Sequence, residues 1–198
     1  MLIVGTGGLA KDIVASLARD YRHKIFAFYN NIDYEEKLFV NTYPVLHTEE
    51  EVKAYFKNTD NRFNTAIGNP LLRERMNKRM QDLGGVLTTI MTLQDQVSQF
   101  SNIAEGCIIQ TDVIISSCVE IQEGVFINSS AIVGHDCKIG KYVSIAPGVR
   151  ILGKVEIGAY SYIGTNAIIM PGVKIGKMVR IGVGKIITED IPDNSKII

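Results

Sequence analysis

The chain has 198 residues, enough for two small domains that each bury a core of their own. Its 21 basic and 21 acidic side chains balance to a formal net charge of zero, so nothing indicates a polyanion-binding surface, and nucleic acid is not an expected partner. Three cysteines without metal-ligand spacing give neither a disulfide framework nor a zinc site.

In chain order, the first ninety residues alternate strands with helices. Leu2-Ile3-Val4 reads as a buried strand and runs straight into a glycine loop, so neither a signal peptide nor a membrane span is expected, and the cytoplasm is the default location. A helix is predicted from Leu9 to Arg19, a second strand over Lys24–Phe28, and a helix opened by the capping-box pair Thr48 and Glu51. Asn64–Ile67 reads as a third strand, Pro70–Leu83 as a helix with proline at its start, and Val86–Ile90 as a fourth strand. This is the pattern of a small Rossmann-like α/β domain, placed over residues 1–92. Its loop Gly5-Thr6-Gly7-Gly8-Leu9-Ala10 approximates G-x-G-x-x-G/A, either a plain strand-to-helix turn or a phosphate cradle at a helix N-terminus. No acidic residue closes the second strand, so a mononucleotide or nucleotide-sugar suits the domain better than a dinucleotide.

From Val97 to Ile187 every sixth residue is Ile or Val, sixteen times without a slip. Four residues after each of the first fourteen stands a small or β-branched residue, such as Cys107, Val113, Ala131 and Cys137; only Lys185 and Ile191 at the end depart. Period six fits no α-helix and predicts a left-handed parallel β-helix of about five coils over residues 93–198. The aliphatic residue points inward, and Gly, Asp or Asn at the fourth place (Gly106, Asp112, Gly124, Asp136, Gly148, Asn166, Gly172, Gly184) suits corners of positive φ.

The β-helix holds a single histidine, His135, at an outward place beside Asp136. A solvated surface histidine is one reading. The other is a general base whose imidazole the neighbouring carboxylate orients. One coil on stands Gly153, which leaves room for a thin reactive group with the Gly153 N–H aimed at it. One histidine argues against the zinc-dependent β-helix enzymes, and the absence of threonine ladders argues against ice binding. His23 and His47 read as structural or solvated.

The run Ile127 to Gly140, with Ile145-Ala146-Pro147-Gly148, resembles the hexapeptide acetyltransferases of bacterial sugar biosynthesis. With the glycine loop, Ala66-Ile67-Gly68-Asn69, Arg73 and the tail Asp190 to Ser195, it is similar to the sialic acid O-acetyltransferase and nucleotide-sugar N-acetyltransferase family. That resemblance implies His135 as general base, Asp136 as its supporting carboxylate and Gly153 as the oxyanion amide. It further implies Ser144, Gly164, Thr165 and Val183 along acetyl-CoA, and Gly7, Gly8, Asn30, Asn31, Gly68 and Asn69 facing a nucleotide-sugar. Three departures stand out: Leu9 replaces a histidine usual in the family loop, Asn30-Asn31 replace a pair of aspartates, and no Gly-x-Pro-Ala-Lys tail follows before Ile198. For the last of these, two readings stay open: a sequence cut short or a weaker hold on acetyl-CoA. The expectation is a homotrimeric acetyl-CoA-dependent acetyltransferase acting on the amine of a UDP-amino-sugar, without metal. O-acetylation of sialic acid or another sugar hydroxyl, and a non-catalytic nucleotide-sugar-binding scaffold, are the alternatives.

Overall fold

The computed structural model describes residues 1–17, 27–32, 37–91 and 96–198, and the chain forms two compact units, Met1–Ile90 and Met91–Ile198. The elements of the first are β1 (Leu2–Val4), α1 (Gly8–Leu17), β2 (Ala27–Tyr29), β3 (Leu38–Phe39), β4 (Tyr43–Leu46), α2 (Glu49–Asn58), β5 (Arg62–Thr65), α3 (Pro70–Asp82) and β6 (Val86–Leu87).

β1 is apolar throughout because both of its faces are covered, as is usual for a central parallel strand. It pairs in parallel with β2 and β5, within the order β3-β4-β2-β1-β5-β6. The chain first builds outward from β1 through β2 and β4, then returns to add β5 on the other side. Strand order therefore reverses between β1 and β5, where open parallel sheets leave a crevice beyond their C-terminal ends. The loops at that edge carry Gly5 to Gly8, Asn30 and Asn31, His47, and Ala66 to Asn69.

Local sequence explains the helix starts. Thr48 Oγ1 accepts from Glu51 N while Glu51 Oε2 accepts from Thr48 N and His47 N, a complete capping box for α2. Asn69 caps α3 by accepting from Leu72 N at 3.1 Å, and Pro70 follows where its missing N–H costs nothing.

The β3–β4 hairpin was not expected from the sequence, because Pro44 reads against a strand and Val40-Asn41 is an unusual turn pair. Both turn residues nonetheless take positive φ, 44° and 55°, as a type I′ turn requires. The third strand lies at Arg62–Thr65, two residues earlier than predicted, so Ala66 and Ile67 belong to the loop. The predicted fourth strand ends at Leu87, and Ile90–Met91 is a separate strand. The predicted end of the first helix, the start of the second strand, His23 and the boundary between residues 92 and 93 lie outside the described residues.

From Ile90–Met91 to Lys196–Ile197, eighteen two-residue strands among the described residues stack into parallel sheets of seven, six and five strands, the three faces of a left-handed β-helix. Each inward residue sits on its equivalent eighteen positions away: Ile127 on Ile145, and Ile145 on Ile163, all fully buried. The small residues fill the corners from within, and Ser161 Oγ satisfies itself on Gly176 O at 2.8 Å. The sixfold series ends at Ile187, yet the coil continues. Ile191 pairs with Ile175 and Ile197 with Ile181, sixteen residues apart instead of eighteen. Asp190 and Asp193 carboxylates accept from Lys174 N and Lys177 N at 2.7 Å and close the shortened turns.

The corners named from sequence do take positive φ, but so do Cys118, Ser130, Tyr142, Lys154, Tyr160 and Met178. A bulky residue in that conformation costs on the order of 1 kcal/mol or more. Parallel packing of the Tyr142 and Tyr160 rings, with centroids 6.0 Å apart, offsets part of it along one edge. The outer surfaces differ. The face starting at Asn102–Ile103 carries Glu120, Lys138, Glu156 and Lys174 in register, alternating in sign. The face starting at Gln96–Val97 carries Ile114, Ile132, Arg150, Ile168 and Ile186, almost all apolar. Among the described residues no helix is long and apolar enough to cross a membrane.

Acid should loosen the first unit. Arg62 hydrogen bonds hold the Asp60 carboxyl well below the usual carboxylate range, and the His47 and Thr48 N–H groups lower Glu51. A carboxyl that titrates lower when folded stabilises the fold above its unfolded pKa, about 4, and loses that contribution as pH falls toward the folded value. Chemical-denaturation midpoints followed by tyrosine fluorescence are expected to drop between about pH 4 and pH 2, and less so for Asp60→Asn.

Candidate active site

His135 and Asp136 occupy the corner between the Ile-rich face and the charged face. Asp136 has φ of 60°, and this conformation turns its carboxylate back to the imidazole, where Oδ2 lies 2.8 Å from His135 Nδ1. A carboxylate only accepts, so Nδ1 carries the proton and Nε2 of the neutral ring presents its lone pair. Both side chains stay half or more exposed, 62% and 50%.

The imidazole does not stand out into solvent. It lies over Gly153 in the next coil, so closely that a Cβ there would sit 2.6 Å from Nε2. The space above Gly153, read from the sequence as room for a ligand, is thus occupied by the ring itself, and glycine is required for it to lie down. Lys154 N donates to His135 O at 2.8 Å and locks the register of the two coils, while Gly153 N–H donates to no group among the described residues. Lys154 also places a cation beside this corner, which sequence reasoning passed over. The eighteen-residue arithmetic that singled out Gly153 would have found it one place on.

Ser144, Gly164, Thr165 and Val183 lie elsewhere, on the face starting at Ile90–Met91 and at its corner with the Ile-rich face. Ser144 is buried and Val183 is exposed. Gly164 is demanded by the stacking of coils, since a Cβ would approach the Gly182 carbonyl carbon to 2.6 Å. The whole Ile-rich face separates these four from His135, and one convex prism cannot bring them together. Two grooves of this unit run along the charged face, one lined by Glu120, Gln122 and Lys141 and the other by Lys138, Glu156, Lys174 and the coil glycines Gly140, Gly158 and Gly176; neither includes His135. Of the cysteines, Cys107 and Cys137 are buried and Cys118 is exposed; burial pushes the Cys137 thiol up. Among the described residues no three His, Cys, Asp or Glu side chains are grouped to hold a metal ion.

In the first unit, Gly5 needs φ of 104° and lies against Ala66 O, so the strand-to-loop turn itself accounts for it. Gly7, Gly8 and Gly68 are different. None has positive φ, and a Cβ on any of them would meet no atom within 4 Å. Nothing within the described chain demands glycine there, whereas a ligand approaching the backbone would. Asn30 and Asn69 are less free than the sequence suggested: Asn30 bridges Thr6 and Ile32, and Asn69 caps α3. Asn31 is exposed. Arg73 is wholly buried and donates through Nη1 to the carbonyls of Ile67 and Gly68, at 2.9 and 3.2 Å. His47, read from the sequence as structural or solvated, joins β4 to β2 through Nδ1 and Asn30 O at 3.0 Å.

Residues 1–80 match the family described as PglD N-terminal domain, and residues 119–153 match the bacterial transferase hexapeptide family. In both halves the chain is thus similar to hexapeptide transferases that carry a PglD-type first domain. No curated protein matches it significantly by sequence. Among solved structures, it is similar to a perosamine N-acetyltransferase from Caulobacter crescentus, a histidine-to-asparagine variant in complex with CoA and GDP-perosamine. That likeness has 27% identity and a TM-score of 0.92, over 98% of this chain and 91% of that one. The acetyltransferase domain of PglB from Neisseria gonorrhoeae, in complex with acetyl coenzyme A, is 27% identical with a TM-score of 0.86, over 98% and 93%. WeeI from Acinetobacter baumannii is 25% identical with a TM-score of 0.89, over 98% and 94%.

Gly153→Ala is expected to lift the His135 ring from its seat and break the Nδ1–Asp136 bond, because a methyl group cannot share the space with Nε2. Imidazole nitrogen chemical shifts by NMR check this, with the Nδ1-protonated tautomer losing its dominance in the variant.

Proposed function

We propose that the protein transfers the acetyl group of acetyl-CoA to the amine of a nucleotide-linked amino-sugar, as an enzyme of glycan biosynthesis. The single observation that carries this is the imidazole fixed by Asp136 and seated on Gly153, with the Nε2 lone pair free for a substrate proton. In the transfer, the sugar amine attacks the thioester carbonyl and gives its proton to His135 Nε2. The tetrahedral oxyanion is held by the Gly153 N–H, a contribution on the order of 3 kcal/mol. Collapse breaks the C–S bond, and the imidazolium returns the proton to the leaving thiolate. The Caulobacter neighbour, named as an N-acetyltransferase and bound to a nucleotide-linked sugar, favours nitrogen over oxygen as the attacking atom.

The first unit takes the nucleotide on Gly7, Gly8 and Gly68, whose open backbone is unexplained by the chain's own packing. The uracil of the sequence reading has no further support, since the Asn30 amide is already engaged and the Caulobacter neighbour holds a guanine nucleotide. Acetyl-CoA is assigned to Thr165 and Val183 of one copy facing His135 of the next, since Ser144 and Gly164 are buried within their own chain. A homotrimer supplies that second wall, and its closed symmetry makes three identical clefts. The apolar outer column from Ile114 to Ile186 suits burial between copies.

Three measurements test this reading. His135→Ala should lower acetyl transfer at least about a hundredfold while acetyl-CoA affinity holds; thiol release with nucleotide-linked amino-sugars reads it, and retained turnover excludes the base. Gly8→Val should abolish nucleotide binding with little loss of stability, because its side chain enters open space; calorimetry and thermal unfolding separate the two. Static light scattering should return the mass of three chains, and an active monomer would refute the shared cleft.

A further inference from the structure

The loop that follows β2 contains a hydrogen-bond arrangement whose polarity can be read without ambiguity. Ile32 N donates to Asn30 Oδ1 at 2.9 Å, and Asn30 Nδ2 lies 2.7 Å from Thr6 Oγ1. A backbone N–H can only donate, so the amide oxygen must face Ile32 and the amide nitrogen must face Thr6. Thr6 Oγ1 is therefore the acceptor in that bond. Its own proton remains to be given to another group, and no atom among the described residues takes it.

The arrangement is held from three strands. Asn30 N donates to Leu46 O at 3.0 Å, and Asn30 O accepts from His47 Nδ1, which ties the amide to β4. Gly5 N donates to Tyr29 O at 2.8 Å, which fixes the residue before Thr6 against β2. Next to the hydroxyl come Gly7 and Gly8, at the start of α1, whose N–H groups also have no partner within the helix. The hydroxyl proton and the two amides together offer three donors. A group that only accepts, a phosphate, matches this surface.

We propose that Asn30 turns Thr6 into a hydrogen-bond donor for phosphate, so that this loop selects the diphosphate of the ligand and not its base. This rests on the reading of the first unit as a nucleotide site. Aspartate at position 30 would reverse the polarity: its carboxylate would still accept from Ile32 N, would take the Thr6 proton, and would set a negative charge beside the cradle.

The test is calorimetry on the full chain with UDP and GDP, against uridine and guanosine. Thr6→Val should weaken both diphosphates about tenfold, equivalent to about 1.4 kcal/mol, and leave the nucleosides unchanged. Thr6→Ser, which keeps the hydroxyl, should restore affinity to within about twofold, and Asn30→Asp should weaken the diphosphates at least as much as Thr6→Val. Equal losses for nucleosides and diphosphates would assign the hydroxyl to ribose or base and overturn the proposal. So would tighter binding by Asn30→Asp, or an unaltered Thr6→Val. Free sialic acid bound in place of every nucleotide, with the same Thr6 dependence, would make the partner a carboxylate and refute both this and the nucleotide reading. Normal nucleotide binding by the wild type with an indifferent Thr6→Val would refute this inference alone.

Discussion

Everything in the second unit depends on one constraint: an inward aliphatic side chain must land on its equivalent one coil away. Ile127, Ile145 and Ile163 form such a column, and each full burial of this kind stabilises by about 1.5–3 kcal/mol. A slip of one residue would turn the column outward and forfeit all of it. Because the register cannot slip, outward residues are fixed as firmly as inward ones. Gly153 lies under His135 for this reason alone, and the chemistry of the corner is a by-product of core packing.

The same constraint explains what could be read in advance. Inward positions repeat, so the β-helix and the pairing of His135 with Gly153 were legible in the sequence. The posture of the imidazole was not, since it depends on the αL conformation of Asp136 turning the carboxylate back to Nδ1. The end of the coil was hidden too: Ile191 and Ile197 keep the stack only because Asp190 and Asp193 replace missing corner residues by hydrogen bonds. In the first unit, β1 and α3 were marked by apolar continuity and by Asn69-Pro70. The β3–β4 hairpin was masked by Pro44 and by a β-branched residue in a turn that prefers glycine. Of the site residues, the glycines were visible as a motif, but only the structure distinguishes Gly5, which the turn requires, from Gly7 and Gly8, which it does not.

Asparagine carries two opposite lessons here. At position 69 it is a helix cap, and its oxygen is spent on Leu72 N. At position 30 both ends of the amide are spent, yet the consequence passes to Thr6, whose hydroxyl inherits a direction. A residue type scored from sequence as a ligand contact can thus act one bond away from the ligand.

The unequal outer faces of the prism have a wider meaning. Inward positions of every hexad obey one rule, whereas the outward columns run from alternating Glu and Lys on one face to Ile on another. Each hexad therefore carries two messages that barely interfere, one for folding and one for the surface. A protein built this way can exchange a whole outer column, acquiring a new substrate or a new neighbour, without renegotiating its core.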